Sequence, residues 1–120
     1  MIGTGTPIFR SFDETKEREF YLDYLGFEIT FEHRFDETAP LYLGIRLGDF
    51  QLHLSEHHGD ASPGGAVRIE SFDLKAFHEE LSAKSYRYAR PGSPQQQSWG
   101  SLELILTDPF HNRLVFFQDR

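Results

Sequence analysis

The apolar residues after Asp13, namely Phe20, Tyr21, Tyr24 and Leu25, fall at i, i+1, i+4 and i+5, the stripe of one helix face. Asp13 suits the N-cap, Glu14 and Glu17 lie near the positive helix end, and Gly26 suits a left-handed stop. After Asp73 the stripe returns as Leu74, Phe77 and Leu81, and this second helix is expected to end near Lys84-Ser85. Shorter apolar or alternating runs read as strands: 7–11, 27–35, 41–47 and 50–55, then 66–71, 86–90, 98–107 and 113–117. Gly48-Asp49 predicts a tight hairpin, and Asp108-Pro109 opens a turn in which Asn112 suits a positive φ. The stretch 91–97, rich in Pro and Gln, reads as a mobile loop.

These elements repeat. Ser11-Phe12-Asp13 recurs as Ser71-Phe72-Asp73, half a chain later, each time between a strand and a helix. Each half therefore reads βαβββ. The expected architecture is α+β: one domain of two modules, about 1–60 and 61–120, joined by the polar stretch His57–Gly65. A helix covers one face of each module, so the bare faces are expected to curl, as a curved mixed sheet, into a cleft.

Strand alternation assigns side chains to that cleft. In the run 50–55, Phe50, Leu52 and Leu54 should pack beneath the helix, leaving Gln51, His53 and Ser55 to the cleft. Arg10 is the cleft candidate of the first strand, as a rigid five-donor fork; the plainer reading is a surface salt bridge. Trp99, beside the 91–97 loop, is placed at the cleft edge. Phe35 and Tyr42 flank the Asp36–Pro40 turn and suit the same role.

Composition narrows the partners. Twelve phenylalanines against one Met and one Trp are more rings than a 120-residue core can hide, so some must line a surface. A net charge of −7 with scattered bases argues against nucleic acid and suits a cationic ligand or plain solubility. There is no Cys for thiolate or disulfide chemistry. No apolar run approaches the roughly 18 residues of a membrane span, and no secretory signal opens the sequence, so a cytoplasmic location is expected. The one dense group of metal-ligand types runs from His53 to Asp60. A loop site of His53, Glu56 and His57 is the weaker alternative to a solvated polar loop. No nucleophile elbow, zinc-protease motif or phosphate-cradling loop is present.

The whole chain resembles the glyoxalase/bleomycin-resistance proteins of the vicinal-oxygen-chelate superfamily. The residues that carry the likeness are Phe20-Tyr21-x-x-Tyr24-Leu25-Gly26-Phe27, Trp99-Gly100 and Asp108-Pro109-x-x-Asn112-Arg113-Leu114, with Leu52–Asp60 beside them. The resemblance implies paired βαβββ modules and a homodimer with two shared clefts. Metal-dependent members use four ligand positions, which map here to Thr6, His53, Val67 and Val115. Only His53 can ligate, so the pattern resembles the metal-free binding branch, in which aromatic side chains sandwich a flat part of the ligand. By this resemblance Trp99 and Phe35 are the stacking residues, with polar contacts from Arg10, Gln51 and His53.

The function expected is sequestration of a small molecule, such as a cationic glycopeptide antibiotic, without cofactor or chemistry. The alternative is a glyoxalase-like enzyme, of lyase or dioxygenase type, acting on an unknown small substrate with His53 as general base.

Overall fold

A computed structural model describes residues 1–86 and 90–119. It has the expected α+β order of two βαβββ modules. The first contains β1 (Ile8–Arg10), α1 (Glu14–Arg18) with a π-helical continuation (Glu19–Tyr24), β2 (Glu28–His33), β3 (Tyr42–Leu47) and β4 (Phe50–Ser55). The second contains β5 (Ala66–Glu70), α2 (Leu74–Ser82), β6 (Gln95–Gln96), β7 (Leu102–Thr107) and β8 (Arg113–Gln118). The strands form two four-stranded sheets, ordered β1-β4-β3-β2 and β5-β8-β7-β6. In each sheet the strand before the helix pairs in parallel with the last strand of its module.

The local signals act as read. Asp13 accepts from the Lys16 backbone N–H and Asp73 from that of Ala76, both at 3.0 Å. Gly26 and Gly48 take φ of +88° and +59°, as a helix stop and a two-residue hairpin require. The first helix widens where its aromatics crowd: Leu25 N–H bonds to Phe20 C=O, five residues back, and Phe20, Tyr21 and Tyr24 are all buried.

Three expectations are corrected, and a fourth lies largely outside the described residues. The sixth strand is Gln95–Gln96, inside the stretch read as a loop, because a turn at 97–101 with Gly100 at φ +95° folds it onto β7. The strand expected over 86–90 lies largely outside the described residues, and Tyr86 and Arg90 at its ends belong to no strand. Trp99-Gly100 forms the tip of that turn rather than opening β7. The positive φ near Asn112 belongs to His111, at +71°.

Asn112 instead spends its side chain joining the modules. Its Nδ2 donates to Arg10 O and to Asp108 Oδ2, each at 2.9 Å, and its Oδ1 accepts from Gly65 N at 3.0 Å. The Tyr21 hydroxyl reaches Asp108 Oδ2 at 2.6 Å. At the other end of the helices, Lys84 Nζ donates to Tyr24 O at 2.7 Å, and Tyr24 stacks on Tyr86 with centroids 4.5 Å apart.

The core lies between helices and sheets and runs through both modules as one cluster. The body measures 46 × 43 × 22 Å, so it is little more than one sheet layer and one helix layer thick. Its radius of gyration, 14.9 Å, exceeds the about 13.6 Å of a compact chain of this length. The sheet faces opposite the helices are open, and Ile8, Phe31 and Ile105 lie exposed there.

Candidate ligand-binding face

The open face of the first sheet is read directly from its register. One row across it is Ile8, His53, Gly44 and Phe31; the next is Arg10, Ser55, Tyr42 and His33. Phe31 arrives there through a bulge. Ile29 pairs with Ile45 on the helix side, but the register slips between Ile29 and Phe31, so Phe31 opposes Gly44 on the open side. Simple alternation would have sent Phe31 to the core with Ile29, which is why sequence reasoning missed it.

Gly44 gives the ring its place. A Cβ at this position would stand 2.2 Å from Phe31 Cε1, inside any possible contact. The ring therefore lies across the β3 backbone, stacked on Tyr42 at 6.0 Å and edge-to-face with His53 at 5.0 Å. The Tyr42 hydroxyl lies 2.8 Å from His53 Nδ1. Burial pushes the His53 imidazole down, and burial together with the Asp60 charge pushes the Tyr42 phenol up. Both are thus neutral near pH 7: the phenol donates to Nδ1, and the His53 proton resides on Nε2. The result is an aromatic wall, Phe31–Tyr42–His53, with a polar edge.

The other expected site residues are placed unevenly. Gln51 is exposed on the same face, two positions before His53. Phe35, 78% exposed, lies beyond β2 and packs edge-on against His33 and His57. Arg10 begins on the open face, but its guanidinium is turned to Glu56 O at 3.3 Å and over the Phe12 ring at 4.5 Å. Trp99, 67% exposed, stands on the second sheet's turn; among the described residues it has no ring contact with the first-sheet group. Ser55 is closed off, its hydroxyl donating to Asp60 Oδ2 at 2.7 Å.

The loop metal site is not assembled. His53 is tied to Tyr42, Glu56 accepts from the Leu41 N–H, and His57 packs against Phe35. Among the described residues no three of His, Cys, Asp and Glu gather closely enough to hold a metal ion. The four mapped ligand positions do not suit one either. Thr6, Val67 and Val115 offer no imidazole or carboxylate, and Val67 pairs with buried Leu114 on the helix side, where Ala66, Arg68 and Glu70 take the open face.

A family profile described as "Glyoxalase superfamily protein" matches residues 2–120. The chain belongs to the glyoxalase superfamily. Among solved structures it is similar to a bleomycin-binding protein complexed with bleomycin, at 25% identity and a TM-score of 0.73, covering 99% of this chain and 100% of that one. It shares its fold with the antibiotic-binding protein TnmS3 from Streptomyces sp. CB03234, at 20% identity and a TM-score of 0.72, covering 100% and 99% of the two chains. A glyoxalase/bleomycin resistance protein/dioxygenase superfamily member from Sphaerobacter thermophilus has the same fold, at 18% identity, a TM-score of 0.72, and 99% and 98% coverage. No curated protein matches the chain in sequence. Among the described residues, no helix of this glyoxalase-superfamily chain is long and apolar enough to cross a membrane.

Proposed function

We propose that this glyoxalase-superfamily chain binds a small, flat, cationic molecule and sequesters it without chemical conversion, as a single-domain protein of the cytoplasm. The observation that carries the reading is the Phe31–Tyr42–His53 wall, Phe31 exposed and the other two half-buried, on a sheet face that no other layer covers among the described residues. Rings of this kind stack on a flat ligand at about 0.5–1.5 kcal/mol each beyond area burial. The net charge of −7 attracts a cation. The bleomycin-bound neighbour, 25% identical over nearly the whole chain, supports a glycopeptide of that type as the ligand to test first. The thin body and the apolar residues on both open faces favour a homodimer in which one copy's first sheet faces the partner's second sheet, bringing Trp99 and Phe35 to a shared cleft.

Calorimetric titration with metal-free bleomycin tests this. One ligand per cleft is expected, with affinity at least about tenfold weaker in Phe31→Ala. Absence of heat at high micromolar drug defeats the drug-specific reading. Sedimentation showing a monomer at the same concentration defeats the shared cleft.

A second reading, a metal-free enzyme using His53 as general base, is favoured by the neutral imidazole held by Tyr42. Recovery of any bound small molecule chemically unchanged after prolonged incubation argues against it.

A further inference from the structure

The repeat extends to backbone hydrogen bonds. Ser11 N donates to Ser55 O at 2.9 Å, and Ser71 N to Phe117 O at 2.8 Å. Phe12 and Phe72, the next residues, therefore stand at equivalent strand-to-helix corners. They are covered very differently. Phe12 carries the Arg10 guanidinium at 4.5 Å and packs against Phe110 at 6.2 Å, a ring delivered from the other module by the β7–β8 turn. Phe72 is 87% exposed, and among the described residues it is paired with no ring or cation.

Turn length explains the difference. The β7–β8 connection is the closed turn Asp108–Asn112, long enough to lay Phe110 beside Phe12. Its counterpart between β3 and β4 is only Gly48-Asp49. What it leaves unfilled is a groove of about 560 Å³ at the junction of the modules. Phe50, Phe72, Phe77 and Phe116 line it, with the carboxylates of Asp49, Glu70 and Glu80. Among the described residues its one lining Arg or Lys is Arg68, whose guanidinium is engaged with Glu103 at 3.0 Å and the Phe117 ring at 4.5 Å. None of Phe31, Tyr42 and His53 borders the groove, so it is distinct from the open-face wall.

We propose that this groove is a second binding site, for a small organic cation that carries one ring. The ring takes beside Phe72 the place that Phe110 takes beside Phe12, and the ammonium or guanidinium group takes the place of Arg10. The surplus of carboxylates selects for positive charge, and the phenyl lining supplies the cation–π and edge contacts.

Amide NMR titration of the full chain with benzylammonium tests the site, with benzyl alcohol and benzoate as controls. Shifts are expected at Gly48, Asp49, Ser71 and Phe72, at least about fivefold weaker binding is expected for the alcohol, and none for benzoate. Glu70→Lys with Glu80→Lys should weaken benzylammonium by about tenfold or more, as should Phe72→Ala; all three residues are exposed, and an unchanged amide spectrum of the β7 and β8 core reports an intact fold. Phe31→Ala should leave the binding unchanged. Shifts confined to the open face, an equal response to benzoate, or no response at millimolar probe overturn the proposal. So do groove shifts that grow with protein concentration without probe, which would assign the groove to a second copy of the chain.

Discussion

Tyr21 and Asp108 are 87 positions apart in the chain, and the tyrosine hydroxyl donates to the aspartate across 2.6 Å in the buried seam between the modules. Burial pushes the Asp108 carboxyl up, against the lowering effect of Tyr21, Asn112 and two backbone donors; burial and the aspartate charge push the Tyr21 phenol well up. Tyr21→Phe leaves the carboxylate with Asn112 and the backbone N–H groups of Phe110 and Asn112. The expected loss is about 1.5–3 kcal/mol, the usual worth of a hydrogen bond to a charged group. Urea unfolding should show a lower midpoint at unchanged slope.

Glu17, read as a favourable charge near the positive helix end, is 1% exposed. It occupies beneath α1 the place that Phe77 occupies beneath α2, four residues after the capping Asp in each. Burial pushes its carboxyl up to about 7, with Ser11 working against and the Glu56 charge working with the shift. A carboxyl raised on folding binds its proton more tightly in the native state. Stability therefore falls as pH rises from about 4.5 to about 7 and is level above that. Between those limits the wild type should lose on the order of 3 kcal/mol relative to Glu17→Gln. Unfolding of both proteins in parallel across that range is the check, and parallel curves would refute it.

Gly44→Ala should act on the ligand face far more than on the core. The new methyl group needs the space of the Phe31 ring, which must swing off Tyr42 and His53. The His53 ring protons should lose the ring-current shift from Phe31, which is visible by NMR without any ligand. Affinity for the ligand of the open face should fall about tenfold or more.

His53 should titrate below the usual 6.5, because burial disfavours its charged form. Its contribution to stability has the sign of a group that binds protons more readily when unfolded: stability rises with pH between the folded and unfolded midpoints and falls on acidification. Opening the site with Phe31→Ala should bring the midpoint back toward 6.5, as followed on the His53 ring protons.

Local signals carried most of the fold. The two capping aspartates, Gly26 and the Gly48-Asp49 hairpin each act through chemistry confined to a few adjacent residues, so one stretch of chain suffices to read them. Gln95–Gln96 was hidden because two glutamines bury nothing and become a strand only when the Gly100 turn lays them on β7. Gln51 and His53 were legible on the open face because β4 keeps strict alternation; Tyr42, read only as a flank of the Asp36–Pro40 turn, reaches that face through the register of β3. Phe31 was not, because β2 breaks alternation. Arg10 was read by residue type alone, and a carbonyl 46 positions away decides where its guanidinium points. The role of Asn112 in joining the modules was equally hidden, since its partners at Arg10 and Gly65 meet only in the folded chain.

The slip in β2 has an evolutionary corollary. Before Thr30, Ile29 points toward the helix; after it Phe31 and His33 point away, while Glu32 turns inward to pair with Arg18. One supernumerary residue thus works like a phase shift in the strand. Point substitutions at 31 and 33 can alter the open face without touching the packing behind it. Deletion of Thr30 would leave Ile29 on Ile45 and Phe31 on Gly44 as plain neighbours, so both facings survive it; deletion of Glu32, after the slip, would instead carry His33 to the helix side. Lineages on this scaffold are expected to vary the residues after the slip freely, and to keep their number.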